Sequence, residues 1–318
     1  NVEKVNTLVL QRYLRQSLSR MPESVYSPKI SPMSCHNTGD HLNPRITGEF
    51  LDNSGTTRFL TKAAGFQDDL AQTEAEQVLY QGIMSALGYS KNKAQFLQLS
   101  RSMPFQILLP LTGRNITDEE YIQRLQALLL GTAGLLPSQR ADRRQISKDN
   151  IWIETLEKLW GSSHRKQEMT ENDWNLFKVR PNNFPIRRIA AMSHLVLCYT
   201  KRGMLEEIVE MLREAPENTS YPKLEKPLLV TTNGYWASHL DFGLPTRLIM
   251  PTLLGNRRAA DIVVNVLLPF NFALGRHASQ PELTGKALEL YNRYPRLITN
   301  AIEKHMNNQL GPNGDQVD

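Results

Sequence analysis

Apolar residues crowd one stretch of the chain above all others, Gly255 to Leu274, GNRRAADIVVNVLLPFNFAL. Ile262, Val263, Val264, Val266, Leu267, Leu268, Phe270 and Phe272 leave little of such a helix for water, the pattern of an element at the centre of a fold. One polar stripe interrupts it. Arg257, Asp261 and Asn265 recur every fourth residue and share a face, and Arg258 sits three before Asp261, within reach of the same carboxylate. Pro269 has no N–H, so the Asn265 carbonyl loses its partner four residues on. Polar groups in apolar packing must be paired, at a cost of roughly 1–3 kcal/mol each when they are not. The stripe reads either as a buried network that sets helix register or as a ligand site.

Elsewhere the period is mostly helical. Phe59, Ala63, Phe66 and Leu70 form one stripe. Glu76 to Leu87 forms another, which stops at Gly88 as a C-terminal cap. GYSKNKAQFLQLS turns into a further helix with Lys91, Asn92 and Lys93 at its start, where cations oppose the dipole. Thr117 and Glu120 make a capping box for a long periodic helix that ends before Pro137. Ser138 to Asn150 reads as an exposed, basic connection. IWIETLEKLW and TENDWNLF follow as shorter helices, and Trp152, Trp160 and Trp174 read as core. Leu205 to Leu212 is a short amphipathic helix, and Ala215 to Pro227 is a proline-rich crossing. Pro281 opens GKALELYNRY, and Pro295 opens a last helix that Gly311 ends. Thr7 to Leu10 is a possible strand, and strand-like alternation is scarce after it. The predicted fold is mainly α: an irregular multi-helix array around a central buried helix, with at most a short N-terminal strand. The expected domains are 1–55 (strand, helix and long loop), 56–310 (helical domain) and 311–318 (tail).

The chain has 318 residues, 40% of them hydrophobic and 22% charged, enough for a real core. A net charge of +5 is compatible with an anionic partner and too small to prove one. Two cysteines, Cys35 and Cys198, make no disulfide framework and point to a reducing, cytoplasmic setting. The apolar run Ile262 to Leu268 is too short to span a bilayer, so no membrane insertion is expected. Asn1 is not an initiator Met, which suggests a trimmed start.

Candidate chemistry is sparse. RPNNFPIRRIAAMSHLVL places Asn183 as a helix cap, Pro185 in the first turn, and Arg187 and Arg188 beside it, with Arg180 upstream. That is the wrong end for positive charge unless an anion answers it, whether an external phosphate or carboxylate or an internal acid such as Asp261. The anion-binding candidates are therefore Arg180, Arg187, Arg188, Arg257, Arg258, Lys91 and Lys93. The polar-network candidates are Asn92, Asn183, Asp261 and Asn265. His239 and Asp241, near Tyr235 and Trp236, could act as acid and base, with Asp261 a third weak catalytic candidate. Cys35, His36, Asp40 and His41 are ligand-type residues without zinc-finger spacing, so no metal and no cofactor is expected. No nucleophile elbow, phosphate-binding loop, dinucleotide fingerprint or zincin motif is present.

The segments RPNNFPIRR, YWASHLDFG, GNRRAADIVVNVLLPF and LYQGIMSALGYSKNK resemble a bacterial family of proteins of unknown function, over most of the chain from the first strand to Gln309. The resemblance brings no activity. It implies that relatives extend upstream by a strand-rich segment with an acidic, His-bearing motif and downstream by a Cys-bearing tail. If chemistry belongs to that upstream segment, this chain is its helical platform. Three readings remain open: a nucleic-acid-associated or anion-binding module, a non-catalytic assembly subunit with protein partners in a larger complex, and an enzyme on a small anionic substrate. The lack of a complete catalytic constellation ranks binding or assembly above catalysis.

Overall fold

The computed structural model describes residues 44–109, 116–140, 150–216, 222–232, 234–243, 245–247 and 249–294. Contacts divide the chain into two units, Phe50–Ile298 and a second made of Asn1–Glu49 with Thr299–Asp318. The site described below lies wholly in Phe50–Ile298. The expected strand at Thr7, the ligand-type residues Cys35, His36, Asp40 and His41, and the last expected helix fall outside the described residues.

The protein is mainly α. Helices α1 (Pro44–Leu70), α2 (Ala75–Leu87), α3 (Lys93–Ser102) and α4 (Phe105–Leu108) lead into α5 (Asp118–Thr132) and α6 (Ile151–Ser162). Then come α7 (Pro185–Cys198), α8 (Met204–Arg213) and the short α9 (Pro222–Glu225). The organising stretch follows as α10 (Asn256–Ile262), a π-helical segment (Val263–Leu267) and α11 (Leu268–His277), and α12 (Pro281–Asn292) closes the set.

The stretch Asn256–His277 is central. Ile262, Val263, Val266, Leu267, Leu268, Phe270, Phe272 and Ala273 are all buried. By length and composition this 22-residue helix could cross a membrane, against the expectation from its shorter apolar run, but 72% of its apolar window is buried inside the fold. The apolar stripe of α1 supplies part of that cover. Phe59 meets Phe272 edge-on at 5.2 Å and Tyr291 at 4.4 Å, and Phe66 meets Phe270 at 5.7 Å. Helix α2 lies against the π segment, where Gly82 is needed, because a Cβ there would come within 2.9 Å of Val266.

The π turn has a local cause. Pro269 cannot donate to the Asn265 carbonyl, so the α register has no continuation at that point. The chain answers by slipping one residue earlier, with the Leu268 N–H reaching the Val263 carbonyl. Such bulges occur at functional positions more often than elsewhere in helices. Here the bulge carries Asn265.

Gly88 caps α2 as expected, in the right-handed region (φ −68), and two other local expectations, on Asn183 and on strands, are corrected; Tyr89 takes the left-handed conformation (φ 55). Gly88 is required for space, because a Cβ would lie 2.3 Å from the Asn92 carbonyl oxygen. Asn183 does not cap α7, whose N-cap is Phe184 with Pro185 in the first turn. An antiparallel pair also forms late in the chain, β1 (Val230–Thr231) and β2 (Thr252–Leu254), with Val230 opposite Leu254 and an irregularity between Val230 and Thr231. Strands of two and three residues are too short to print an alternation on the sequence.

The capping box of α5 is as expected: Thr117 Oγ1 accepts from the Glu120 N–H at 3.2 Å and Glu120 Oε2 from the Thr117 N–H at 2.9 Å. Replacing Thr117 by Ala should cost about 1 kcal/mol. A calorimetric melt should then fall by roughly 2–4 °C, and an unchanged melt would mean the cap is redundant.

Candidate functional site

Two arginines adjacent in sequence at the start of α7 do different work. Arg187 is fully buried. Its Nη1 donates to the carbonyls of Trp236 and of His239 (2.7 Å), and its Nη2 to the carbonyl of Thr252 at 3.1 Å. It ties the 234–240 loop and β2 to α7. With three carbonyl dipoles and no carboxylate as partners, desolvation pulls its guanidinium down to about 10. Arg187 is therefore no contact for an external anion, which corrects that expectation. The carbonyl cage supplies the negative end that the helix N-terminus lacks.

Arg188 points the other way. Its Nη1 donates to the Leu253 carbonyl at 3.0 Å and its Nη2 to Asn183 Oδ1 at 2.8 Å. Asn183 Oδ1 also accepts from Arg258 Nη2 at 3.4 Å, and Arg258 Nη1 pairs with Asp261 Oδ2 at 3.1 Å. One residue type supplies the link: an amide oxygen with two lone pairs can serve two guanidinium groups. Asp261 passes the network on through its backbone, its carbonyl accepting from Asn265 Nδ2 at 2.9 Å. Asn265 Oδ1 then accepts from Arg58 Nη2 at 3.2 Å and from Lys62 Nζ.

Arg58 and Lys62 lie one helical turn apart on α1, beside the stripe that docks Phe59 and Ala63. Sequence reading missed them. Each looks like any solvated cation on an amphipathic helix, and only the docking of α1 brings them to Asn265. The one available signal was their i, i+4 spacing next to the buried stripe.

The electrostatics of the group are lopsided. Among the described residues, four cations, Arg58, Lys62, Arg188 and Arg258, are joined through Asn183 and Asn265 around one carboxylate, Asp261. Lys93 and Arg257 add to the field at Lys62 and Arg258 respectively. Desolvation, then Arg258 and Arg187, pulls Arg188 down to about 9 against the opposing pull of Asp261. Desolvation, then Arg58 and Lys93, pulls Lys62 down to about 8, again opposed by Asp261. Arg258 is lowered by burial despite its ion pair. The buried Nε–H groups of Arg187, Arg188 and Arg258 have no acceptor among the described residues. The Arg258 guanidinium carbon also lies over the Tyr89 ring, 4.2 Å from its centroid.

The remaining candidates separate from this cluster. Lys91 is committed to the Phe177 and Lys178 carbonyls at 3.1 and 3.0 Å, so it clamps a loop. Asn92 is buried and exchanges side-chain hydrogen bonds with the backbone of Asn175 at 3.1 and 2.8 Å. Arg180 and Arg257 are exposed. His239 stacks on Tyr235 at 4.0 Å, and its Nδ1 faces the Tyr235 carbonyl at 2.9 Å and Ser238 Oγ at 3.1 Å. Asp241 pairs with Arg140 at 3.4 Å and accepts from the Gly243 N–H at 2.8 Å. His239 and Asp241 are thus parts of one braced loop, with no hydrogen bond between their side chains among the described residues. No group of three or more metal-ligand residue types is placed around a common point among the described residues. A groove of about 400 Å³ beside α8 and α9 is lined by Arg202, Glu207, Glu210, Glu214 and Lys223 among others. It shares no residue with the cation cluster and has the wrong sign for an anion.

The molecule is a mainly-α protein with a π-bulged core helix and a partly buried, cation-rich polar cluster. The chain belongs to the family described as Protein of unknown function (DUF2851), whose match covers residues 1–297. Neither the search of curated proteins nor the search of solved structures gives a match.

Proposed function

We propose that the protein is an anion-binding module and that its site is the cluster of Arg58, Lys62, Arg258 and Asn265, with Arg188 behind it. The observation that carries this reading is the imbalance of four joined cations around a single carboxylate. Holding like charges together in a partly dry site is costly, and cations this close depress one another. An anion of the phosphate class relieves that repulsion. It also offers acceptor oxygens to the Arg188 and Arg258 nitrogens that have none among the described residues, in charge-assisted hydrogen bonds.

Lys62 provides the test. Its folded pKa, about 8, lies below the ordinary 10.5. A lysine lowered on folding destabilises the native state wherever it is charged in both states, here below pH 8. That cost is relieved as pH rises from about 8 to about 10.5. Lys62→Met should therefore stabilise the free protein at pH 7 by about 1 kcal/mol after allowance for solvent screening. The gain should shrink towards pH 10. Pyrophosphate should raise the melting temperature of the parent and not of Lys62→Met, and its affinity for the parent should weaken as pH passes 8. A variant that is less stable at pH 7, or that still responds fully to pyrophosphate, would remove Lys62 from the site.

A further inference from the structure

Next to the cation cluster, two turns are fastened together. Asn92 Nδ2 donates to the Asn175 carbonyl and Asn92 Oδ1 accepts from the Asn175 N–H. Asn175 Nδ2 donates to the Lys91 carbonyl at 2.7 Å, and Lys91 Nζ donates to the carbonyls of Phe177 and Lys178. Five hydrogen bonds thus hold the 88–93 turn against the 175–178 turn. Each turn displays an aromatic ring: Tyr89 is 49% exposed and Phe177 is 79% exposed. Each ring has a cation against it, Arg258 on Tyr89 at 4.2 Å and Lys178 on Phe177 at 5.2 Å. Each turn also holds a non-glycine residue in the left-handed region, Tyr89 at φ 55 and Lys178 at φ 53. That conformation is strained for a residue with a Cβ and persists where surrounding structure enforces it. The segments GYSKNK (88–93) and NLFKVRP (175–181) carry Lys91, Lys93, Lys178 and Arg180 and no acidic residue.

A lone exposed aromatic needs no explanation. Two of them, on turns locked to each other, each flanked by cations and one resting on a member of the phosphate cluster, form a pattern. The cations argue against an apolar protein partner, which would have to strip them of water. The rings argue against a duplex, whose bases are already stacked on one another. We infer that the paired turns are a stacking platform for single-stranded nucleic acid, with Tyr89 and Phe177 taking unpaired bases and the Arg58–Lys62–Arg258 cluster taking a backbone phosphate. This inference rests on the anion-binding reading and adds the ligand class to it. Base stacking on exposed aromatics is sequence-tolerant, so the platform favours unpaired strands over a particular sequence.

The test is fluorescence anisotropy of the full chain with labelled oligo-dT and oligo-U 12-mers and a matched duplex, over a range of salt, with pyrophosphate melts run in parallel. The parent should bind at least one of the single strands more tightly than the duplex, with affinity falling as salt rises. Tyr89→Ala and Phe177→Ala should each weaken strand binding about tenfold, and the double variant more. Phe177→Trp should keep the parent's affinity and Phe177→Leu should lose about as much as Phe177→Ala, because leucine keeps the apolar surface and loses the π face. Phe177 is at the surface and belongs to no part of the cation cluster, so the pyrophosphate melt of the Phe177 variants should match the parent, whereas Tyr89→Ala also removes the ring against Arg258 and should shift that melt. Strand affinity that survives the double substitution, equal affinity for duplex, or no strand binding at all would overturn the platform. Each of those leaves the anion site standing if pyrophosphate still stabilises the parent. Strand binding without a pyrophosphate response would instead remove the anion site and keep the rings. The ratio of dT to U binding reads out whether the strand is DNA or RNA.

Discussion

Arg187→Met should lower the melting temperature by roughly 8–15 °C, or leave the protein insoluble. The methionine fills much of the same volume but donates to nothing, so the carbonyls of Trp236, His239 and Thr252 lose their shared partner. Stranded buried acceptors cost roughly 1–3 kcal/mol each. Part of this cage reaches water, so the expected loss is about 4 kcal/mol, against a total stability of roughly 5–15 kcal/mol. At about 2–4 °C per kcal/mol for a domain of this size, that gives the expected shift. Arg187→Lys should rescue little, because one ammonium cannot span three carbonyls that a planar fork reaches together. The measurement is a calorimetric melt of the three proteins. A methionine variant melting within 2 °C of the parent would mean that the 234–240 loop and β2 are held by packing alone, with Arg187 incidental.

The second large effect is expected at Asp261. Asp261→Asn keeps the shape of the side chain and removes the one negative charge that offsets Lys62, Arg188 and Arg258. Removing one member of a buried ion pair typically costs about 3–5 kcal/mol. Asp261 is partly exposed, with 23% of its side chain accessible, so about 2–3 kcal/mol is the expected loss in the free protein. The same substitution should improve the site for an anion, because the carboxylate no longer repels it. Pyrophosphate should therefore raise the melting temperature of Asp261→Asn by more than it raises that of the parent. Ligand stabilisation grows as RT ln(1 + [L]/Kd), so a titration separates tighter binding from a mere change in baseline. Equal responses in the two proteins would mean that Asp261 and the anion do not face each other. A variant as stable as the parent would mean the cluster is solvated rather than strained.

The first of these substitutions shows how far the logic of a short piece of sequence reaches. RPNNFPIRR marked two arginines at a helix start as needing an answer. What answered them differed: carbonyl dipoles for Arg187, and an asparagine shared with Arg258 for Arg188. Sequence spacing could not separate them, because adjacent residues on a helix point about 100° apart and meet different neighbours. The same holds for His239 and Asp241, two residues apart, which one braced loop turns to different partners, Tyr235 and Arg140.

What the amino-acid order determined by itself is local. Helical period, the apolar girth of Asn256–His277, the capping box at Thr117 and the missing N–H of Pro269 are each set within a few residues, and each leaves a periodic or punctuating mark. The tertiary structure alone decided which cations meet. Arg58 and Lys62 lie more than two hundred residues from Asn265, and nothing in their own neighbourhood distinguishes them from other cations on a helix face. Burial of Phe59 and Phe66 against Phe272 and Phe270 is the force that carries them there. Hydrophobic burial is non-directional, so the apolar pattern states that α1 will dock without stating which polar groups that docking will place side by side.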